Sequence, residues 1–215
     1  MAVQVSGNYA YIADGGNGLV IVDITDPTNP SQVGHLDTYY ALAVQVSGNY
    51  AYIADRENGL VIVDITDPTS PSQAGHLDTD GFAWDVQVSG NYAYIADWHN
   101  GLVIVDITDP TNPSQVGHLD TDGYASAVQV SGNYAYIADS WNGLVIVDIT
   151  DPTNPSQVGH LDTDGDASAV QVSGDYAYIA DSWNGLVIVD ITDPTNPELV
   201  ADMLWFTLFG LHYME

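Results

Sequence analysis

The sequence predicts an all-β chain, a five-bladed β-propeller of four-stranded antiparallel blades. Three observations predict it. The string VQVSG returns at Val3, Val44, Val86, Val128 and Val170, at spacings of 41, 42, 42 and 42 residues. Each copy holds four strand-like segments, and turn residues separate them. A period of this length marks a repeat architecture, and four short antiparallel strands per repeat make a propeller blade. A β-solenoid is the rival, but its coils are shorter and its hairpin signals fewer.

The elements follow in order. AVQVS (2–6) alternates apolar and polar residues, as a strand does. NYAYIA (8–13) and GLVIVDI (18–24) are aromatic and β-branched runs, apolar on both faces, which suits middle strands covered by neighbouring blades. SQVGHLDT (31–38) alternates more weakly, as an outermost strand would. Gly7-Asn8 and Asn17-Gly18 are hairpin signals, and TDPTNP (25–30) has the proline placement of a type I turn. The repeats run 2–42, 43–84, 85–126, 127–168 and 169–203, one propeller domain over 1–203, followed by an apolar tail over 204–215. No terminal strand clasp is evident, so closure is expected from blade five packing on blade one. The tail could cover an exposed edge or join two rings into a homo-oligomer, or be a remnant without a role.

Composition narrows the partners. The net charge is −28, with 29 acidic residues against one basic residue, Arg56. Much of the aspartate comes from copying the positions of Asp14, Asp23, Asp26 and Asp37, where it serves turn chemistry. Such a field repels phosphate backbones and anionic lipid, so nucleic acid is not an expected partner. Stability is expected to rise with salt. The absence of cysteine removes disulfides and thiolate chemistry. Met1-Ala2 leads straight into the first repeat, so no secretory leader is read. The tail is too short to span a bilayer, and membrane insertion is not expected.

The stretch GNYAYIAD…NGLVIVDITDPTNP resembles the LVIVD repeat, and the resemblance covers everything but the tail. It implies a propeller and an extracellular or cell-surface setting, and it implies no single reaction.

Divergence among the copies points to one face. In an up-and-down blade, the second-to-third turn and the link to the next blade share one end. The two residues before Asn-Gly change from Gly15-Gly16 to Arg56-Glu57, Trp98-His99, Ser140-Trp141 and Ser182-Trp183. The links vary as YYAL, DGFAWD, DGYASA and DGDASA. Together they supply Tyr39, Tyr40, Phe82, Trp84, Trp98, His99, Tyr124, Trp141 and Trp183 as candidate binding residues. Loops on a rigid scaffold commonly carry binding groups. Aromatic rings beside carboxylates resemble sugar-binding, lectin-like surfaces and equally suit a peptide or protein. The alternative is that loops tolerate change and these rings cap the strands beneath.

Other chemistry is thinner. Asp162, Asp164 and Asp166 alternate around a glycine like the start of a calcium loop, but the glycine is misplaced and no Glu follows at position twelve. Weak calcium binding is the most this pattern supports, and no other cofactor is expected. His35, His76, His118 and His160 lie on successive outer strands and read as surface histidines. No nucleophile elbow, zinc motif or phosphate loop is present, and Asp85 alone replaces Ala43, Ala127 and Ala169 near the channel mouth. An enzyme is not expected. Two readings stand: a non-catalytic binding propeller for glycan or protein, and a structural propeller of amplified or designed repeats with no ligand.

Overall fold

A computed structural model describes residues 1–203; the expectations for the tail lie outside the described residues. Among the described residues twenty strands form five four-stranded sheets, each in simple sequential order. Blade one is built from Ala2–Ser6, Tyr9–Ala13, Leu19–Asp23 and Ser31–Leu36. Blade five is built from Ala167–Ser173, Tyr176–Asp181, Gly185–Asp190 and Glu198–Met203. The first strands of successive blades lie side by side and line a common central channel. The Ser31–Leu36 strand and its counterparts form the outer edge.

Local chemistry sets the blade. Gly7 sits at φ +58° in the first hairpin, the left-handed first position of a II′ turn, which only glycine takes freely. In the next turn but one, Asp26 Oδ1 accepts both the Thr28 amide at 3.0 Å and the Thr28 hydroxyl at 2.7 Å. The third and fourth strands slip register between Ile21 and Val22, and the same slip recurs in every blade. One extra residue on the outer strand increases the local twist.

The core lies between blades rather than within any of them. Tyr11, Ala13, Leu19 and Ile21 of blade one pack against Val44, Ala51, Ile53, Val61, Val63 and Ile65 of blade two. Three further clusters repeat this junction down the chain. Leu102 and Ile104 have no exposed surface, and full burial of such a side chain is worth about 1.5–3 kcal/mol.

Glycine in the outer strand sets how closely blades approach. A Cβ on Gly34 would lie 2.1 Å from the Pro68 carbonyl oxygen of the next blade, and Gly75, Gly117 and Gly159 meet Pro110, Pro152 and Pro194 alike.

Closure differs from the expectation. Four junctions are made, but among the described residues no cluster joins blade five to blade one. Among the described residues the inner strand of blade one and the third strand of blade five are left exposed, Val3 and Val5 at 63% and 60% and Leu186 at 39%, while Ala10 and Val20 of blade one are buried.

Candidate functional site

The variable turn begins with a backbone constraint. Asp14 N–H bonds to Gly18 O and Asn17 N–H to Asp14 O, folding the chain tightly. The first residue of the changing pair falls in the left-handed region: φ is +57° at Gly15, +51° at Arg56, +52° at Trp98 and +49° at Ser140. Only Gly15 takes that conformation freely; the others bear about 1–2 kcal/mol. What holds them is the link to the next blade. Trp98 and Ala125 exchange amide hydrogen bonds of 3.2 and 3.0 Å, and Gly15–Ala41, Arg56–Ala83 and Ser140–Ala167 form the same bridge. The two variable segments are therefore in contact. Ser182 has no following link among the described residues, and its φ is not positive.

A buried carboxylate secures each link from below, a role the sequence reading did not find. Asp97, fully buried, accepts the Thr79 hydroxyl at 2.7 Å and the Asn100 amide at 2.9 Å. Asp139 accepts the Thr121 hydroxyl at 2.7 Å and the Gly123 amide at 2.9 Å. Asp55 and Asp181 accept Thr38 and Thr163 in the same way. Burial pushes Asp97 up to about 6, against the lowering effect of the Thr79 and Asn100 hydrogen bonds, and burial also raises Asp139. The signal was present as the fixed pairing of IAD with the preceding LDT.

The candidate aromatics divide into three groups. Trp84, Trp98 and Tyr124 stack in series, with ring centroids 4.5 and 4.8 Å apart, and His99 meets Tyr124 edge-on at 4.5 Å. Phe82 stands 6.2 Å from His99. Arg56 then lies over both Phe82 and Tyr40, 5.6 and 5.5 Å from their centroids, which extends the array to blade one. Tyr39 is 60% exposed and takes part in no ring contact among those described. Trp141 and Trp183, 52% and 69% exposed, stand apart from the stack.

Those two tryptophans wall a cleft of about 360 Å³ floored by Asp162, Asp164, Gly165 and Asp166. A second cleft of about 220 Å³, two repeats earlier, is lined by Asp80, Gly81, Phe82, His99 and Asn100. Both lie where a link crosses the next blade's variable turn. The scaffold is the same; the lining differs.

The calcium reading of Asp162, Asp164 and Asp166 finds no geometry. Among the described residues no group of three or more His, Asp or Glu is placed to hold a metal. Asp162 Oδ1 instead accepts the Asp164 amide at 2.9 Å, which closes a local turn. The repeated histidines also have internal work: Nε2 of His35 donates to Asn17 O at 2.7 Å, and His76, His118 and His160 repeat the bond.

The central channel is a cavity of about 280 Å³ lined by Val and Gln of all five inner strands and by Asp85. Asp85 accepts the Val86 amide at 2.9 Å and the Val128 amide at 3.0 Å. Burial nonetheless pushes its carboxyl up to about 6. Among the described residues that line the channel, Asp85 is the one carboxylate.

Sequential blades around a channel, with bridged variable loops on one rim, define a β-propeller of tandem repeats. The chain belongs to the LVIVD repeat family, which matches residues 1–38, 40–79, 80–121, 122–163 and 164–204. No curated protein matches it. Among solved structures it is similar to a functionally unknown protein from Desulfotomaculum acetoxidans, at 14% identity and TM-score 0.76, over 93% of this chain and 68% of that one. It is also similar to the computationally designed Ika8 protein, at 12% identity and TM-score 0.71, over 89% of this chain and 58% of that one. The designed Ika4 protein matches at 12% identity and TM-score 0.59, over 72% of this chain and 92% of that one. The chain thus spans little more than half the length of Ika8, and at such identities the likeness is one of fold.

Proposed function

We propose that the chain is a non-catalytic binding propeller that takes a glycan or a protein segment in the interblade clefts of its variable face. The supporting observation is the recurrence of one cleft on an unchanged scaffold with a changed lining. In the larger cleft, exposed Trp141 and Trp183 offer flat apolar faces, and Asp162, Asp164 and Asp166 offer acceptors for hydroxyl or amide hydrogens. Stacking with flanking hydrogen bonds is how such surfaces hold sugars and peptides. The charge of −28 disfavours nucleic acid as a partner, and the family likeness supports a cell-surface or extracellular setting.

A titration followed by tryptophan fluorescence, guided by a glycan array and a peptide array, tests this reading. Saturable quenching is expected, weakened about ten- to a hundredfold in Trp183→Ala, the range for loss of a central aromatic contact. Silence across both arrays sinks it. The second reading, a structural scaffold with no ligand, is favoured by the Trp84–Trp98–Tyr124 stack, whose rings already satisfy one another.

A further inference from the structure

Every internal junction pairs the same two sheet faces. One blade supplies Tyr, Ala, Leu and Ile from its second and third strands, and the next supplies Val, Ala and Ile. Among the described residues no junction cluster holds the last face of blade five or the first face of blade one, and the exposure on blade one is concentrated at its inner strand, since Ala10 and Val20 are buried. Val3 is 63% exposed where its counterparts Val86 and Val128 are each 5% exposed. Leu186 is 39% exposed where Leu60, Leu102 and Leu144 are fully buried.

A polar series breaks at the same place. Gln4 Oε1 accepts the amide of Val46, Gln45 that of Val88, Gln87 that of Val130 and Gln129 that of Val172. Gln171 is next in the series, and its amide nitrogen reaches only its neighbour's carbonyl, Val172 O, at 3.4 Å. Val5, the counterpart of Val46, receives no glutamine among the described residues. Apolar face and hydrogen-bond register thus end together, and each end is the complement of the other.

We propose that a second copy of this chain docks head to tail, its blade one against this chain's blade five, with Val3 and Val5 facing Leu186 and Gln171 bonding to Val5 N–H. The contact is heterologous and leaves one face of each kind free at the far ends, so copies close into a ring or grow further. Two features weaken it relative to the internal junctions. Ala201 stands opposite Ile188 where Gly34 stands opposite Ile21. A Cβ at that glycine lies 2.1 Å from a neighbouring proline carbonyl, so the incoming Pro27 turn must shift outward. The charge of −28 per copy repels, and salt screens that repulsion. Association is therefore concentration-dependent and strengthened by salt.

Sedimentation velocity on residues 1–215, across protein concentration and from low salt to about 1 M sodium chloride, reads the outcome. The mass is expected to rise above 23.0 kDa with both variables. Leu186→Glu blocks one face and the double substitution Val3→Glu, Val5→Glu blocks the other. Each protein alone is expected to stay single, and an equal mixture to form pairs and nothing larger. All three positions are exposed, and circular dichroism checks that the blades persist. Ala201→Gly, which adds no bulk, is expected to lower the association midpoint about tenfold, the effect of roughly one relieved contact. A mass fixed at 23.0 kDa at every concentration and salt overturns the proposal, whether residues 204–215 cover the face or nothing does. Association that survives in both blocked variants separately, or a midpoint unmoved by Ala201→Gly, overturns it as well.

Discussion

Ser140 shows what a single position costs this protein. It sits at φ +49° because its amide and carbonyl are tied to Ala167 in the next link. Gly15 occupies the same place in blade one without strain. Ser140→Gly is expected to stabilise the fold by about 0.5–1 kcal/mol, since relief of left-handed strain outweighs the added freedom of the unfolded chain. A urea titration comparing midpoints at equal slope checks it, and an unchanged or lower midpoint means the bridge relaxes the strain. The sequence marked this pair as variable. It did not show that the pair's first residue must bend left-handed, because that demand comes from a partner strand some 27 residues away.

At the scale of the element, the link and the variable turn behave as one unit. Trp98 stacks on Tyr124 of the link it bridges, and Arg56 lies over Phe82 of its own link. Their joint divergence follows from contact: a change in one alters the packing of the other. The outer strand is the opposite case, kept constant by what it must admit. Gly117→Ala places a methyl about 2.0 Å from Pro152 O of the next blade. It is expected to cost about 1–3 kcal/mol, the range for overpacking against backbone. Thermal unfolding measures this, and a loss below a few tenths would show that the turn yields freely. The GHLD string gave no sign of this role, since close approach between blades leaves no trace in local periodicity.

For the whole molecule, carboxylates of two kinds pull stability in opposite directions with pH. Turn aspartates such as Asp26 and Asp67 are held below the ordinary carboxylate range by the hydroxyl and amide of the threonine two residues on. They favour the fold above the unfolded value of about 3.9, and that favour is lost as pH falls through their lower folded values. Desolvation pushes Asp85, half-buried on the channel, and fully buried Asp97 up to about 6, and it raises Asp139 too. The folded state then holds more protons than the unfolded one between about 4 and 6, so stability falls as pH rises through that window. The urea midpoint is expected to be higher at pH 5 than at pH 7.5. Asp85→Ala, the residue of the other inner strands, is expected to flatten part of that difference by raising the pH 7.5 midpoint. A midpoint that rises from pH 5 to pH 7.5 contradicts both expectations.

The sequence by itself determined the five blades, the strand order, the turn chemistry and the rim on which the copies diverge. These follow from alternation, hairpin glycines and threonine-capped aspartates, all of which act within a few residues. The tertiary structure decided the rest. It tied each link to the variable turn of the blade it leaves, buried Asp55, Asp97, Asp139 and Asp181 as latches, and gathered six of the candidate aromatic positions around Arg56 and the Trp84–Trp98–Tyr124 stack while setting Trp141 and Trp183 apart. Among the described residues it also left Val3 and Val5 of blade one and Leu186 of blade five exposed. Whether a ring of blades closes depends on the small rotation between neighbours, set by side-chain volumes across each junction, and repetition along the chain carries no record of how those rotations sum.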